Sequence, residues 1–250
     1  MSEHKKTALV TGASAGLGAE YCRQLADRCE VIIGVARRGE RLQNLATELA
    51  GSVEFHSLEA DLTSIEGVAR TMEALRQKGP VDYLVNNAGF STFGSFEKLP
   101  VDEQRNMVSL HIDATITLCR AAVPFMRGRG AGHIINVSSM GAFVPGKGLA
   151  VYGATKAFLN YFSQALQVEL AGSGIEVQAL CPGYIHTEFH AQMQSQGFDK
   201  SRIPQQMWMQ PREVVAASLA ALGSGQVVVV PGEVNREIAA AAMRQQLESL

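Results

Sequence analysis

Thr7-Ala8-Leu9-Val10-Thr11-Gly12-Ala13-Ser14-Ala15-Gly16-Leu17-Gly18 sets a short apolar run against a glycine-rich turn, and apolar residues at helical spacing follow as far as Ala26. The order is strand, turn, helix. Glycines let a backbone approach phosphate closely, and a helix N-terminus offers unpaired N–H groups and the positive end of a dipole. The spacing is G-x-x-x-G-x-G, not the G-x-G-x-x-G of the general dinucleotide fingerprint. An ordinary tight turn is the plain alternative, and three glycines directly after the first strand weigh against it.

Outward from this turn, strand and helix alternate. Residues 31–36, 53–58, 81–85, 132–137, 175–180 and 227–230 read as further strands. Helical patterns occupy residues 42–50, 65–78 (with Ser64 as N-cap), 102–126, 152–170, 214–222 and the tail from Val234. This spacing is that of right-handed βαβ units, so a parallel sheet is expected. The fold class expected is α/β: a three-layer, doubly wound Rossmann fold with a seven-stranded parallel sheet. Ligands of such sheets bind at the C-terminal ends of the strands. Three segments stand there: Asn86-Asn87-Ala88-Gly89, Ser138-Ser139 and Cys181-Pro182-Gly183.

The chain has 250 residues and a formal charge of −2, with 46% apolar residues. That suffices for one large domain, and no repeat or linker divides it. One domain over residues 1–250 is expected, with a cofactor-binding part at about 5–140, a catalytic and substrate part at about 141–231, and a lid over 188–210. No basic block points to nucleic acid or a membrane surface, and no apolar run approaches a membrane span. Cys22, Cys29, Cys119 and Cys181 are scattered, without metal-ligand spacing. Free thiols in the cytoplasm and no metal are expected.

The second strand ends in Arg37-Arg38. At this place in a Rossmann unit an acid favours NAD, whereas an arginine accommodates the 2′-phosphate of NADP. No acid stands there, so Arg37 predicts NADP, with NAD the less favoured cofactor. Arg38 is a further candidate, although Arg38 and Arg41 also read as a solvated basic loop.

Tyr152-Gly153-Ala154-Thr155-Lys156 opens a helical run, which puts Tyr152 and Lys156 on one face. A free phenol has a pKa of about 10, and a nearby cation lowers it. The pair is a candidate acid/base unit for an alcohol oxygen. Tyr-x-x-x-Lys alone is common, so the surrounding motifs carry the weight.

Thr11-Gly12-x-x-x-Gly16-x-Gly18, Asn86-Asn87-Ala88-Gly89, Ser139, Tyr152-x-x-x-Lys156 and Pro182-Gly183, taken together and in this order, resemble the classical short-chain dehydrogenase/reductase family. The likeness runs from Thr7 to Pro231. It implies that Gly12, Ser14, Gly16, Leu17 and Gly18 form the pyrophosphate turn. Asp61 and Leu62 would flank the adenine, and Asn87, Ala88 and Gly89 would line the ribose region. Tyr152 would be the proton donor in reduction and the base in oxidation. Lys156 would hold the nicotinamide ribose and lower the Tyr152 pKa, and Ser139 would bond the substrate oxygen. Pro182, Gly183, Ile185 and Thr187 would lie at the nicotinamide. The family usually carries an Asn fifteen residues before the Met of its Pro-x-Met turn, a place occupied here by His111. That Asn positions a water in the proton path. His111 is therefore either a relay member or a packed histidine bonded to backbone. His56, His133, His186 and His190 read as structural or surface.

The leading reading is an NADP-dependent oxidoreductase that interconverts a carbonyl and an alcohol, with an apolar small-molecule carbonyl or alcohol as its expected substrate. Alternatives are a catalytically idle NADP-binding sensor or scaffold, an NAD-linked alcohol dehydrogenase of the same family, and a sugar-nucleotide epimerase or dehydratase. The chain after Gly183 is short for the substrate domain of the last. A homodimer or homotetramer is expected from the family's habit of pairing the long helix and the Tyr152 helix. Ala157, Leu159, Ala165 and Leu166 would supply apolar surface there. Residues 188–210 lack periodicity yet carry Phe189, Met193, Phe198, Met207, Trp208 and Met209, which suggests a mobile lid over an apolar substrate.

Overall fold

A computed structural model describes residues 5–249. The strands are β1 (Thr7–Thr11), β2 (Val31–Ala36), β3 (Glu54–Glu59), β4 (Tyr83–Asn86), β5 (Gly132–Val137), β6 (Ile175–Leu180), β7 (Tyr184–Ile185), β8 (Trp208–Met209) and β9 (Val228–Val229). The helices are α1 (Gly16–Leu25), α2 (Gly39–Glu48), α3 (Ile65–Lys78), α4 (Val101–Val108), α5 (Ala114–Arg129), α6 (Ala150–Glu169), α7 (Ala191–Ser195), α8 (Pro211–Ala221) and α9 (Glu233–Glu248). Seven strands form a parallel sheet in the order β3-β2-β1-β4-β5-β6-β9. The expected Rossmann architecture is the observed one.

Alternate residues of a strand face opposite sides of the sheet. Ala8, Val10, Ile32 and Ile135 accordingly enter one core layer with α1, α2 and α8. Leu9, Ile33, Val35 and Ile134 enter the other, with α3, α5 and α6. Both faces are covered, which is why β2 is apolar throughout and β1 and β5 carry apolar residues on both faces. Among the described residues no helix is long and apolar enough to cross a membrane.

The strand order reverses between β1 and β4. Chains leave the C-terminal ends of these two neighbours in opposite directions and open a crevice between them. The long helix expected at 102–126 is interrupted there by one π turn, Ser109–Asp113, between α4 and α5. Such turns insert a residue into a helix and re-aim a side chain. Here the residue concerned is His111. Residues 188–210, expected to be irregular, contain short helical turns and α7, and β8 pairs in parallel with β7. Local periodicity cannot reveal a ladder only two residues long.

Candidate active site

Every site residue expected from the sequence, apart from Gly18 and His111, lines a single cleft of about 720 Å³ at the β1/β4 crevice. The turn after β1 forms its floor. Gly12 has φ +68°, and a Cβ on Gly18 would stand 2.2 Å from the Gly12 carbonyl oxygen. Gly18 therefore shapes the turn from behind and does not line the cleft. The cradle left by these glycines fits a pyrophosphate held on backbone N–H groups.

Thr11, immediately before the first glycine, opens the motif but carries no role in the sequence reading. Its Oγ1 accepts the Asn87 and Ala88 backbone N–H groups, each at 2.9 Å. The Asn87 side chain donates back to the Thr11 carbonyl at 2.8 Å. The two turns are thus strapped together. Asn86 points elsewhere, into a buried chain of bonds through Asn136 (2.8 Å) to Ser163 (2.9 Å). It belongs to the scaffold beneath the site.

At the end of the cleft expected to face the adenosine, Oδ1 of Asp61 accepts the backbone N–H and the hydroxyl of Thr63, at 3.0 and 2.8 Å. This fixes the turn that presents Leu62. Arg37 is exposed and has no ion pair or side-chain hydrogen bond among the described residues. Arg38 and Arg41 both pair with Glu188, at 2.5 and 2.8 Å. The sequence near Arg37 offers no carboxylate at the cleft's edge, but the fold delivers one from a distant segment.

At the reacting end, Ser139 and Tyr152 share a hydrogen bond. Lys156 is buried, and its Nζ donates to the Val137 carbonyl at 2.8 Å. That nitrogen lies 5.7 Å from the centre of the Tyr152 ring. Burial pushes the Tyr152 phenol up to about 12, against the pull of its bond with Ser139. Burial also pushes Lys156 down to about 7. The Tyr152 pKa thus stands above that of a free phenol, opposite to the lowering expected from Lys156. Helical spacing places the two groups together, but burial is the largest cause of both shifts.

His111 is buried in the π turn. Its Nε2 accepts the Phe90 backbone N–H at 3.3 Å, and its Nδ1 lies 2.8 Å from Thr155 Oγ1. The Thr155 hydroxyl donates to the Tyr152 carbonyl at 2.8 Å. This pattern requires the neutral ring with hydrogen on Nδ1. Burial, and secondarily the Lys156 charge, hold its pKa well below the usual value. A Cβ on Gly89 would come within 2.8 Å of Nε2. The ring thus clamps the turn after β4 to α6, and both of its nitrogens are engaged. His111→Ala is expected to cost about 2 kcal/mol, two neutral hydrogen bonds at ~1 kcal/mol each. Its pH–turnover profile should keep the wild-type limbs. A displaced acid limb, with stability unchanged, would instead make His111 a proton carrier.

The opposite wall is apolar. Tyr184, Phe189, His190, Met193, Phe198 and Met207 line it. His190 stacks on Phe198 at 5.6 Å and meets Trp208 edge-on at 5.4 Å. Read from sequence as structural or surface, it instead belongs to the cleft. Burial and the Lys200 charge lower its pKa to about 4, so it is neutral. Among the described residues, no group of three His, Cys, Asp or Glu side chains could hold a metal.

Residues 6–197 match the family described as short chain dehydrogenase. An uncharacterized oxidoreductase of Staphylococcus epidermidis is 34% identical over 184 residues, 73% of this chain and 79% of that one. A short-chain dehydrogenase from Sphingobium yanoikuyae in complex with NADPH superposes with a TM-score of 0.85 at 35% identity, over 98% of this chain and 95% of that chain. The bulky-bulky ketone specific alcohol dehydrogenase from Comamonas testosteroni gives 0.81 at 32% identity, over 98% and 94%.

Proposed function

The chain belongs to the short-chain dehydrogenase family of oxidoreductases, and from that premise we propose that it uses NADP to interconvert a carbonyl and an alcohol, with Tyr152 as acid and base. The observation that carries this reading is the meeting, in one cleft, of the glycine turn, the arginines after β2 and the Ser139–Tyr152–Lys156 group. NADPH, when bound, supplies the hydride. The glycine turn, Asn87, Ala88 and Gly89 would hold the cofactor, and Ile185 and Thr187 would border its nicotinamide end. The Tyr152 Oη gives its proton to the substrate oxygen as negative charge develops there, while Ser139 donates a second hydrogen bond. A phenol with a pKa near 12 keeps its proton at neutral pH, yet is a stronger acid than the alcohol it produces. Lys156 would position the ribose, and its ammonium would offset the phenolate charge that Tyr152 gains on giving up its proton. The idle-binder reading is disfavoured by the intact proton donor, which a sensor does not need.

The apolar wall opposite Tyr152 suits a bulky apolar or aromatic ketone; the similar Comamonas enzyme is named as specific for bulky-bulky ketones. NADPH consumption over a panel of ketones graded by size tests this, with the matching alcohols and NADP+ run in reverse. Activity confined to small polar carbonyls would contradict it.

Cofactor choice rests on Arg37. A phosphate–arginine contact is worth ~1.5–3 kcal/mol, so Arg37→Ala is expected to weaken NADPH binding by about tenfold or more and leave NADH binding nearly unchanged. Equal or tighter binding of NADH by the wild-type protein would refute the choice.

The same reading includes assembly into a dimer or tetramer. Val108, Ile116 and Phe125 are exposed on the α4–α5 face, and Tyr161 and Val168 stand 77% exposed on α6. Leu159, expected on that outer face, is instead in the core at 3% exposure. Of the other residues named from sequence, Ala157 is exposed and Ala165 and Leu166 are half-buried, so the expected surface is kept in part and extended by these larger side chains. Closed symmetric pairing would bury it. Sedimentation at micromolar concentration should give a dimer or larger species, and Phe125→Glu should shift it towards monomer.

A further inference from the structure

We propose that Glu188 is a cofactor-discriminating residue: its carboxylate occupies the arginines at the adenosine end of the cleft, and the 2′-phosphate of NADP displaces it. The inference rests on the NADP reading above. Glu188 lines the same cleft as Ser14, Arg37 and Arg38. It bridges two guanidinium groups, Arg38 at 2.5 Å and Arg41 at 2.8 Å. Arg38 also donates from Nε and Nη2 to Ser14 Oγ, at 3.3 and 3.1 Å. Ser14 belongs to the glycine turn, so the carboxylate, Arg38 and the phosphate cradle form one connected unit. Arg41, and then Arg38, hold the Glu188 carboxyl below the usual carboxylate range, so it is anionic at neutral pH.

A carboxylate shared by two arginines imitates the anion that those arginines would otherwise bind. All three side chains are between 44% and 49% exposed, and exposed pairs of this kind are weak enough to exchange. A 2′-phosphate brings more charge and more acceptor oxygens, and arginine matches that geometry. It therefore wins the competition, and Arg37, with no side-chain partner among the described residues, gives it a first landing point. A 2′-hydroxyl carries no charge and leaves the Glu188 pairs in place. The energy of breaking those pairs is thus subtracted from NADP binding alone. The next residue, Phe189, packs its ring 6.1 Å from that of Tyr152. Release of Glu188 frees one end of the segment that covers the reacting phenol.

Calorimetric titration of the full chain, wild type and Glu188→Gln, with adenosine 2′,5′-bisphosphate and with adenosine 5′-monophosphate tests the proposal without requiring turnover. The variant is expected to bind the bisphosphate roughly 3–10-fold tighter than wild type, the scale of one or two exposed pairs, and the monophosphate within about twofold. Equal or weaker bisphosphate binding by the variant overturns the proposal. Weakened monophosphate binding also overturns it, since Glu188 would then be bonding the ribose hydroxyl. If both proteins prefer the bisphosphate to the same degree, the NADP reading stands and the displacement fails. If neither prefers it, both fall.

Discussion

Tyr152→Phe is expected to lower ketone reduction by about 10²–10⁴-fold, the usual worth of a general acid, while NADPH still binds. The hydroxyl removed lies at the meeting of Ser139 and the cleft, and its proton is held firmly by burial. Hydride delivery without that proton leaves an alkoxide in a poorly solvated cleft, with only Ser139 to stabilise it. The ring itself remains, so its contacts with His111 at 6.0 Å and Phe189 at 6.1 Å are kept. Melting temperature and NADPH affinity should therefore change little. The split matters more than the loss: a variant that lost cofactor binding in parallel with turnover would make Tyr152 part of the binding wall, and one retaining near-full turnover would remove it from the mechanism.

How much of this was legible in the sequence follows from the physics of each feature. Val31–Ala36, Gly132–Val137 and Ile175–Leu180 have the bounds that residue pattern suggests: the first is a continuous apolar run, as a strand buried on both faces reads, and the other two are rich in β-branched apolar residues and bounded by turn residues. Ile65–Lys78 begins where Ser64 caps it, its side chain accepting the Gly67 N–H at 3.0 Å. These are local rules. The spacing of Tyr152 and Lys156 likewise places them together, because helical geometry is local. Their protonation is not local: it depends on how much protein surrounds each group, and burial inverted the expected direction. The pairing of Glu188 with Arg38 and Arg41 joins segments 147 residues apart in the case of Arg41, and no periodicity encodes it. The placing of His190 in the cleft has the same origin. The π turn at His111 left no breaker in the sequence, since an inserted residue keeps the helix apolar and continuous. Thr155 could have been found, because it sits inside the Tyr152–Lys156 stretch and has a hydroxyl to spend on the histidine that stands where the family places an asparagine.

Lys156→Met should move activity and stability in opposite directions. Under the proposed mechanism, Lys156 is the cation that orients the ribose and supports the departing proton, so turnover is expected to fall by ~10²-fold or more. Stability follows from the depressed pKa. The lysine titrates near 10.5 in an unfolded chain and near 7 in the folded one. Between these values the unfolded chain holds a proton that the folded chain does not, so stability rises with pH across that window. Below about 7 the folded protein carries the ammonium in a desolvated site, and the full cost applies. Above about 10.5 both states are neutral and the cost is gone. Methionine has a comparable unbranched chain and no charge, and it packs adaptably. It forfeits the bond to the Val137 carbonyl, which costs about 1 kcal/mol. The balance at neutral pH should still favour the variant by ~0.5–2 kcal/mol, the range in which functional groups commonly trade against stability. Thermal melts at pH 7 to 10 without cofactor should show the variant melting higher at pH 7, with the two curves converging as the lysine of the wild type loses its proton. Parallel curves, with wild type higher throughout, would mean that Lys156 is charged and well paired, and the burial argument for both members of the Tyr152–Lys156 pair would fail together.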